Sequence, residues 1–476
     1  MLMRIGGVDA ESENDNWIPV INPATGDEID RVPAGTKDDV KRAVAAADTA
    51  FSPWKKKTQR ERGMILLRAA RIVREQHKDL ARLLTTEQGK PLRESIDEIR
   101  GYANILEFYG GISAAQKGEL VRLGATGDAL ITREPLGICG AIVPWNMPVL
   151  IMGWKVGPAL LAGNTLILKP ASSTPLTTIR LAQILEDAGL PPGTLNVVTG
   201  PGEVVGEAMA GHPSIKKLSF TGNRATAQRI REHAAGSLKE LTLELGGSDP
   251  MIVMADADID QAVEGAIRGR FYNAGQTCTA VKRLFVHESI AMEFSRRLKQ
   301  KTEALKLGSG LDIETDMGPL NSADQRERIS SLVDRIRDNR QGTIVTGASS
   351  PEGTAYSRGF FYKPTIVTDV ESTCGLMTEE VFGPVLPVML VPDLDTAIHE
   401  ANRTSYGLGA SIWTSNLHSV KRAFDEIHAG IIWVNRHLTV PPEVPFGGMN
   451  ESGLGRENGL HALESYSRTK TLLLGW

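Results

Sequence analysis

The chain has 476 residues, 41% of them hydrophobic and 23% charged, with a formal net charge of −4. That length exceeds one ordinary core and predicts two or three packed units. The near-neutral balance excludes a long nucleic-acid-binding face: the densest basic cluster, Lys55-Lys56-Lys57 with Arg60 and Arg62, reads as the solvated start of a helix. The cysteines Cys139, Cys278 and Cys374 show no CxxC spacing and are odd in number. A disulfide framework is thereby excluded, and a reducing, cytoplasmic setting is expected. Met1 to Asp9 holds no apolar run of signal-peptide length. No histidine pair forms HExxH and no Cys/His cluster has zinc spacing, so no metal is expected.

Val40 to Phe51 and Gly63 to Leu84 carry apolar residues at helical spacing, and Leu92 to Phe108 follows Gly89-Lys90-Pro91 as a further helix. Leu120 to Arg133 alternates around Gly124, Gly127 and Asp128, which predicts a long hairpin. Pro135 to Trp154 has no formal charge and is long enough to span a bilayer. Pro144, Asn146 and Pro148 in its middle make it instead a buried strand, a loop and a buried helix, so no membrane partner is expected. Strands are then predicted at Ile138 to Val143, Thr165 to Leu168, Leu195 to Val198, Lys217 to Phe220 and Glu240 to Glu244. Between them lie helices at Val149 to Leu161, Thr177 to Ala188, Glu203 to Ala210 and Ala225 to Ala235. Such alternation predicts an α/β fold with a doubly wound parallel sheet, whose Gly-, Pro- and Asn-rich strand ends suit a nucleotide. A second alternating region runs from about Met251 to Val434, and Tyr466 to Leu474 alternates like a strand.

Three segments carry candidate chemistry. Cys278 lies among small and polar residues in Asn273-Ala274-Gly275-Gln276-Thr277-Cys278-Thr279-Ala280. It reads equally as an exposed nucleophile or a buried structural thiol. Glu244, between Leu243 and Leu245 and before Gly246-Gly247, is either a buried general base or a carboxylate on the polar face of a strand. Asn146, in Pro144-Trp145-Asn146, is either an oxyanion donor or a turn residue.

In order along the chain, these segments resemble the aldehyde dehydrogenase superfamily nearly end to end. The resemblance runs through Ile21-Asn22-Pro23-Ala24-Thr25-Gly26, Glu87-Gln88-Gly89-Lys90-Pro91, Gly163-Asn164-Thr165, Leu168-Lys169-Pro170 and Phe220-Thr221-Gly222. It continues in Glu379-Glu380-Val381-Phe382-Gly383-Pro384, Pro445-Phe446-Gly447-Gly448 and Ser452-Gly453-Leu454-Gly455-Arg456-Glu457. The resemblance implies NAD or NADP as cofactor and Cys278 as the thiolate that attacks the aldehyde. The Asn146 amide and the Cys278 N–H would then hold the oxyanion, and Glu244 would activate water to hydrolyse the thioester. Lys155 and Glu457 match positions associated with a proton relay, or form a structural ion pair. Glu380 matches the residue holding the nicotinamide ribose, with Phe382 beside the ring, and Lys169 reaches the adenosine ribose. Val143, Pro144, Trp145, Ser172, Gly202, Phe220, Thr221, Gly222, Asn223 and Leu245 complete the expected cofactor side. Trp154, Thr277, Thr279 and Phe446 would line the substrate pocket.

The chain departs from the family pattern at three points. Asn223 stands where many members have a serine that contacts the pyrophosphate, with Ala227 in place of a glycine. Ser172 stands where NAD-preferring members often carry glutamate; a serine would not repel a 2′-phosphate, so NADP is expected to be accepted. Trp154 stands where succinate-semialdehyde relatives carry arginine, which favours small aliphatic, hydroxylated, aromatic or cationic aldehydes. A semialdehyde remains the alternative through Arg436, in the segment Arg436-His437-Leu438-Thr439-Val440. A CoA-acylating relative would lack Glu244. The resemblance also implies three parts: a Rossmann-like cofactor domain (1–118 and 138–245), a catalytic domain (246–434) and an oligomerisation arm (119–137 and 435–476). The arm would make a homodimer or homotetramer.

Overall fold

The strands Ile138–Ile142 and Thr165–Lys169 are buried along their whole length, as parallel strands covered on both faces must be. In the computed structural model, which describes residues 1–114 and 118–475, they lie at the centre of an eight-stranded sheet. Residues 115–117 and Trp476, within the expected segments 1–118 and 435–476, lie outside the described residues. Leu195–Val197 flanks the central pair on one side; Ile215–Thr221 and then Glu240–Glu244 flank it on the other, all parallel. The register pairs Ile142 with Lys169, Phe220 with Ile142, and Thr221 with Glu244. The C-terminal ends of these five parallel strands therefore open onto one edge, the place where a doubly wound sheet binds ligands.

This sheet is not wholly parallel. Met3–Ile5 and Val8–Ala10 extend it antiparallel at one end, and Gly453–Leu454 pairs antiparallel with Glu240–Glu244 at the other. Strands of two or three residues are too short to leave a periodic signal. The segment 435–476 thus divides: Gly453–Leu454 belongs to the large sheet, whereas Ser467–Leu474 pairs along its length with Asp128–Pro135. With Glu119–Arg122 they form a three-stranded antiparallel sheet on which Leu120, Val121, Leu130, Leu472 and Leu473 are exposed.

A second, seven-stranded sheet has the order Thr343–Thr346, Thr365–Thr368, Val385–Val391, Val281–His287, Asp249–Val253, Gly409–Trp413, Ile431–Val434. Only its first pair is antiparallel, and Ile431–Val434 forms its open edge. The two sheets have separate hydrophobic cores. Among the described residues no helix is long and apolar enough to cross a membrane.

Capping boxes at Thr36 and Thr58 start the helices Lys37–Lys56 and Gln59–Glu75 by reciprocal bonds to Asp39 and Glu61. The helix predicted over Gly63 to Leu84 is two helices, Gln59–Glu75 and His77–Gln88, broken at Gln76. Val73 and Leu80 are both buried and two turns apart, so the apolar phase crosses the break unchanged and conceals it. Likewise, the helix predicted over Glu203 to Ala210 is a π-turn, Gly202–Gly206, running into the short helix Glu207–Gly211.

The helix His77–Gln88 ends on Gly89, whose φ of +100° belongs to the left-handed region. A Cβ there would lie 2.6 Å from Cγ of Pro23 and 3.0 Å from Cγ of Pro319. Gly89→Ala is expected to destabilise the protein by more than the ~1 kcal/mol of left-handed strain alone, read as a lower denaturant midpoint by circular dichroism. An unchanged midpoint would remove this close approach as a constraint.

Candidate active site

After the helix Ile259–Phe271 the chain makes one tight turn, Tyr272–Gly275, in which Asn273 and Ala274 have φ of 51° and 53°. Each such residue costs about 1–3 kcal/mol and persists only where its surroundings fix it. Here they do. Asn273 N donates to Glu94 Oε2 at 2.8 Å, and Gln88 Nε2 donates to Asn273 Oδ1 at 3.0 Å. Asn273 Nδ2 donates to Asn146 O at 2.9 Å and to Gln276 O at 3.2 Å. Gln276 Oε1 in turn accepts from Asn321 N at 2.9 Å. Cys278 follows, half-buried, just before the strand Val281–His287.

Asn146 lies in the loop between Ile138–Ile142 and the helix Pro148–Ala162, and its Nδ2 donates to Gln276 O at 3.0 Å. The oxyanion candidate and the candidate nucleophile thus share one hydrogen-bonded frame. Lys90 Nζ holds Asn146 O at 2.7 Å and Glu98 Oε2 at 2.6 Å. Glu98 Oε1 in turn accepts from Val149 N and Leu150 N at 2.8 and 3.0 Å, capping the helix that Pro148 begins.

Glu244 ends its strand and is 2% exposed. Burial first, then the nearby Glu457, pushes its carboxyl well above the usual carboxylate range, while Lys155 and Arg456 oppose. A Cβ on Gly447 would come within 2.7 Å of Glu244 Oε1, so only glycine leaves room for this carboxylate. Behind it, Lys155 Nζ donates to Ser219 Oγ at 2.8 Å, to Thr221 Oγ1 at 2.9 Å and to Glu457 Oε1. Ser219 Oγ donates to the same Glu457 oxygen. Desolvation raises the Cys278 thiol to about 12; Lys282 lowers it, and Asp249, Glu380 and Glu244 raise it further.

The strand-end edge suits a dinucleotide. Lys169 Nζ donates to Pro170 O at 3.1 Å, leaving donors to spare, and desolvation lowers its pKa to about 8. Ser172 Oγ donates to Gly200 O at 3.1 Å, so its proton is engaged and must rotate away to serve a phosphate. Gly202 has open space where a Cβ would stand. Asn223 accepts from Thr226 N at 2.8 Å and caps the helix Arg224–Ala234, beside Gly222. Val143 is tied to Lys169 O at 3.0 Å, and Phe220, Thr221 and Leu245 are buried beneath this edge. Glu380 Oε1 accepts from Gly247 N at 3.1 Å, and a Cβ on Gly246 would lie 2.1 Å from Glu380 Oε2. Phe382 meets Trp145 edge to face at 5.5 Å, next to Pro144. A dinucleotide's ribose hydroxyls and phosphates fit these donors, this carboxylate and this glycine-lined edge.

Trp154 and Phe446 are buried with ring centroids 4.8 Å apart. Among the described residues, Trp154 Nε1 and Thr277 Oγ1 are buried without a hydrogen-bond partner. Thr279 O accepts from His437 Nε2 at 2.7 Å; burial lowers the His437 pKa to about 4, so the ring is neutral at pH 7 with its proton on Nε2. Arg436 is exposed.

Sequence reasoning missed Lys282 and Asp249, and gave Lys90, Glu94 and Glu98 no role. A readable signal was present for the first two: Asp249 begins a strand whose other four residues are apolar, and Lys282, with Arg283, interrupts the buried strand Val281–His287.

A family model described as "Aldehyde dehydrogenase family" matches residues 9–472. The chain is 42% identical over 469 residues to a betaine aldehyde dehydrogenase of Brucella anthropi, covering 98% of this chain and 96% of that one. It is 41% identical to a phenylacetaldehyde dehydrogenase of Pseudomonas fluorescens, covering 100% and 96%. Among solved structures, an E. coli NADP-dependent enzyme superposes with a TM-score of 0.97 at 36% identity, covering 100% and 98%. Betaine aldehyde dehydrogenase of Staphylococcus aureus in complex with NAD+ superposes at 0.96 and 36%, covering 99% and 94%.

Lys155→Met would leave Glu457 buried without its counter-charge and is expected to cost about 3–5 kcal/mol of stability. Lys155→Met with Glu457→Gln together should cost less than Lys155→Met alone, measured by chemical denaturation. A double variant no more stable than the single one would show that the two charges do not depend on each other.

Proposed function

Because the chain belongs to the aldehyde dehydrogenase family and is a nicotinamide-dependent oxidoreductase acting on aldehydes, we propose that Cys278, Asn146 and Glu244 carry its chemistry and that Trp154 and Phe446 select its substrate. The observation that supports this most directly is the bond from Asn146 Nδ2 to Gln276 O, two residues before Cys278, at 3.0 Å. The second N–H of the same amide, without a partner among the described residues, is available to an oxygen bound at Cys278.

Cys278 gives up its proton to water and, as the thiolate, adds through Sγ to the aldehyde carbon; the resulting oxyanion is held by the Asn146 amide and the Cys278 backbone N–H. A nicotinamide held at the strand-end edge would supply the hydride acceptor. Glu380 would hold the ribose, Phe382 and Trp145 would limit the ring's position, and Lys169 with Ser172 would face the adenosine end. Glu244 then takes a proton from water as its oxygen attacks the thioester carbonyl on Cys278. The carboxylic acid leaves and Sγ is released. Lys155 and Glu457, buried behind Glu244, pass on the proton it receives.

The two-ring wall of Trp154 and Phe446 carries no formal charge and suits an aromatic or short aliphatic chain by area, or a quaternary ammonium by cation–π attraction. Relatives named for betaine aldehyde and phenylacetaldehyde match both chemistries. A carboxylated semialdehyde would meet two uncharged rings at Trp154 and Phe446. For self-association, the exposed Leu472 and Leu473 beside the hairpin, and the open edge Ile431–Val434, support a homodimer or homotetramer. Light scattering that gave a monomer at micromolar concentration would contradict this assembly.

Reduced-nicotinamide formation across aliphatic, aromatic, cationic and carboxylated aldehydes, with NAD and NADP in parallel, tests the reading. Turnover should vanish in Cys278→Ala and favour aromatic or cationic over carboxylated substrates. Ser172→Glu should lower kcat/KM with NADP at least tenfold while sparing NAD. A wild-type preference for the carboxylated aldehyde would overturn the role given to Trp154. Because burial raises the Glu244 pKa, its base form appears only above the ordinary carboxylate range. Thioester hydrolysis should therefore fall as pH drops through that raised value, well above pH ~4.3. An acid limb at about 4 would remove Glu244 as the base.

A further inference from the structure

Lys282 lies four residues beyond Cys278, and no step above uses it. It stands in Val281–His287, a strand buried up to Val286, and its side chain is fully buried. A buried ammonium is costly unless its donors are satisfied. Lys282 Nζ donates to Cys278 O at 2.6 Å and to Glu380 Oε1 at 3.0 Å, and lies 5.6 Å from the centre of the Phe382 ring. The same Glu380 oxygen accepts the Gly247 amide at 3.1 Å. One ammonium therefore ties the turn that bears the thiol to the carboxylate that faces the cofactor edge.

We infer that Lys282 is a positioning residue that joins the Cys278 turn to Glu380 and so sets both the reactivity of the thiol and the affinity for the nicotinamide nucleotide. The inference rests on the aldehyde-oxidising reading for the roles of Cys278 and Glu380. Its physical basis is the charge around the sulfur. Asp249 faces it from the strand Asp249–Val253, Glu380 from the segment 379–384, and Glu244 from the end of its own strand; all three raise the thiol's pKa. Lys282 opposes them. Asp249 is itself raised to about 8 by burial, with Lys282 opposing, so it adds little negative charge at neutral pH. Without the ammonium, the thiol faces carboxyls and an apolar wall, and its ionisation moves to higher pH. Glu380 meanwhile keeps the Gly247 amide but loses its charged partner, and its carboxylate is free to swing from the edge.

The test uses the full chain without aldehyde. Alkylation of Cys278 by iodoacetamide is followed against pH, with Cys278→Ala as the blank for the buried Cys139 and Cys374. Binding of NAD+ and NADP+ is titrated calorimetrically in parallel. Lys282→Gln should move the alkylation profile up by about one pH unit, equivalent to roughly tenfold slower alkylation at neutral pH, and weaken nucleotide binding several-fold. Lys282→Arg, which keeps the charge, should restore most of both. Should Lys282→Gln fail to fold, Lys282→Met, of similar length and without a polar group to bury, makes the same comparison. A folded Lys282→Gln or Lys282→Met with a lower melting temperature but unchanged alkylation profile and nucleotide affinity would reduce Lys282 to a structural role and overturn the inference. Absence of aldehyde turnover in the wild type would instead defeat the reading above and leave these two measurements standing.

Discussion

The left-handed pair Asn273 and Ala274 is the constraint on which the site depends. Two non-glycine residues in that conformation are unfavourable on their own, and the turn is held by bonds from four separate stretches of chain: Gln88, Glu94, Asn146 and Asn321. The strain is stored next to Cys278, and the bonds that resist it are the ones that orient Asn146. The N-terminal helices therefore do more than cover the first sheet. Through Gln88, Lys90, Glu94 and Glu98 they fix the relation between a loop of the first sheet and a turn that leads into the second.

The site is also a collection of buried charges, each handled differently. Lys90 with Glu98 and Lys155 with Glu457 are close ion pairs; Glu98 also accepts two backbone amides, and Lys155 also donates to two hydroxyls. Among the described residues the Glu244 carboxylate has no ion-pair or hydrogen-bond partner of this kind, and burial drives it towards its neutral form. That contrast separates groups that hold position from one suited to exchange a proton. Lys282 stands between the two kinds, since its partners are the Cys278 carbonyl and a carboxylate at the cofactor edge.

Much of this was legible in the residues. The central strands are apolar on both faces and end in Gly, Pro or Asn, so their positions could be read to within one or two residues, and their shared edge followed from the alternation. The motif residues named Cys278, Asn146 and Glu244, and the fold places Asn146 in the frame of the Cys278 turn and Glu244 within electrostatic reach of the thiol. The break at Gln76 was hidden because the apolar phase is preserved across it. The pairing of Gly453–Leu454 was hidden because two residues carry no period. The charge pattern around Cys278 was hidden for another reason: Asp249, Lys282 and Glu380 come from distant segments, and only the packing of strands shows which carboxyl faces which ammonium.

The open strand Ile431–Val434 runs directly into the residues that hold Thr279, the neighbour of Cys278. Asn435 continues it by donating to Ile412 O at 3.0 Å, and two residues later His437 reaches Thr279 O at 2.7 Å, one residue from Cys278. The ring of Trp433 sits 4.8 Å from that of His437 and donates to Thr439 O at 2.8 Å. Anything that adds a strand to this edge thereby grips the same short stretch of chain that backs Thr279. A strand added there would bear on the stretch 431–437, whose His437 holds the residue next to Cys278.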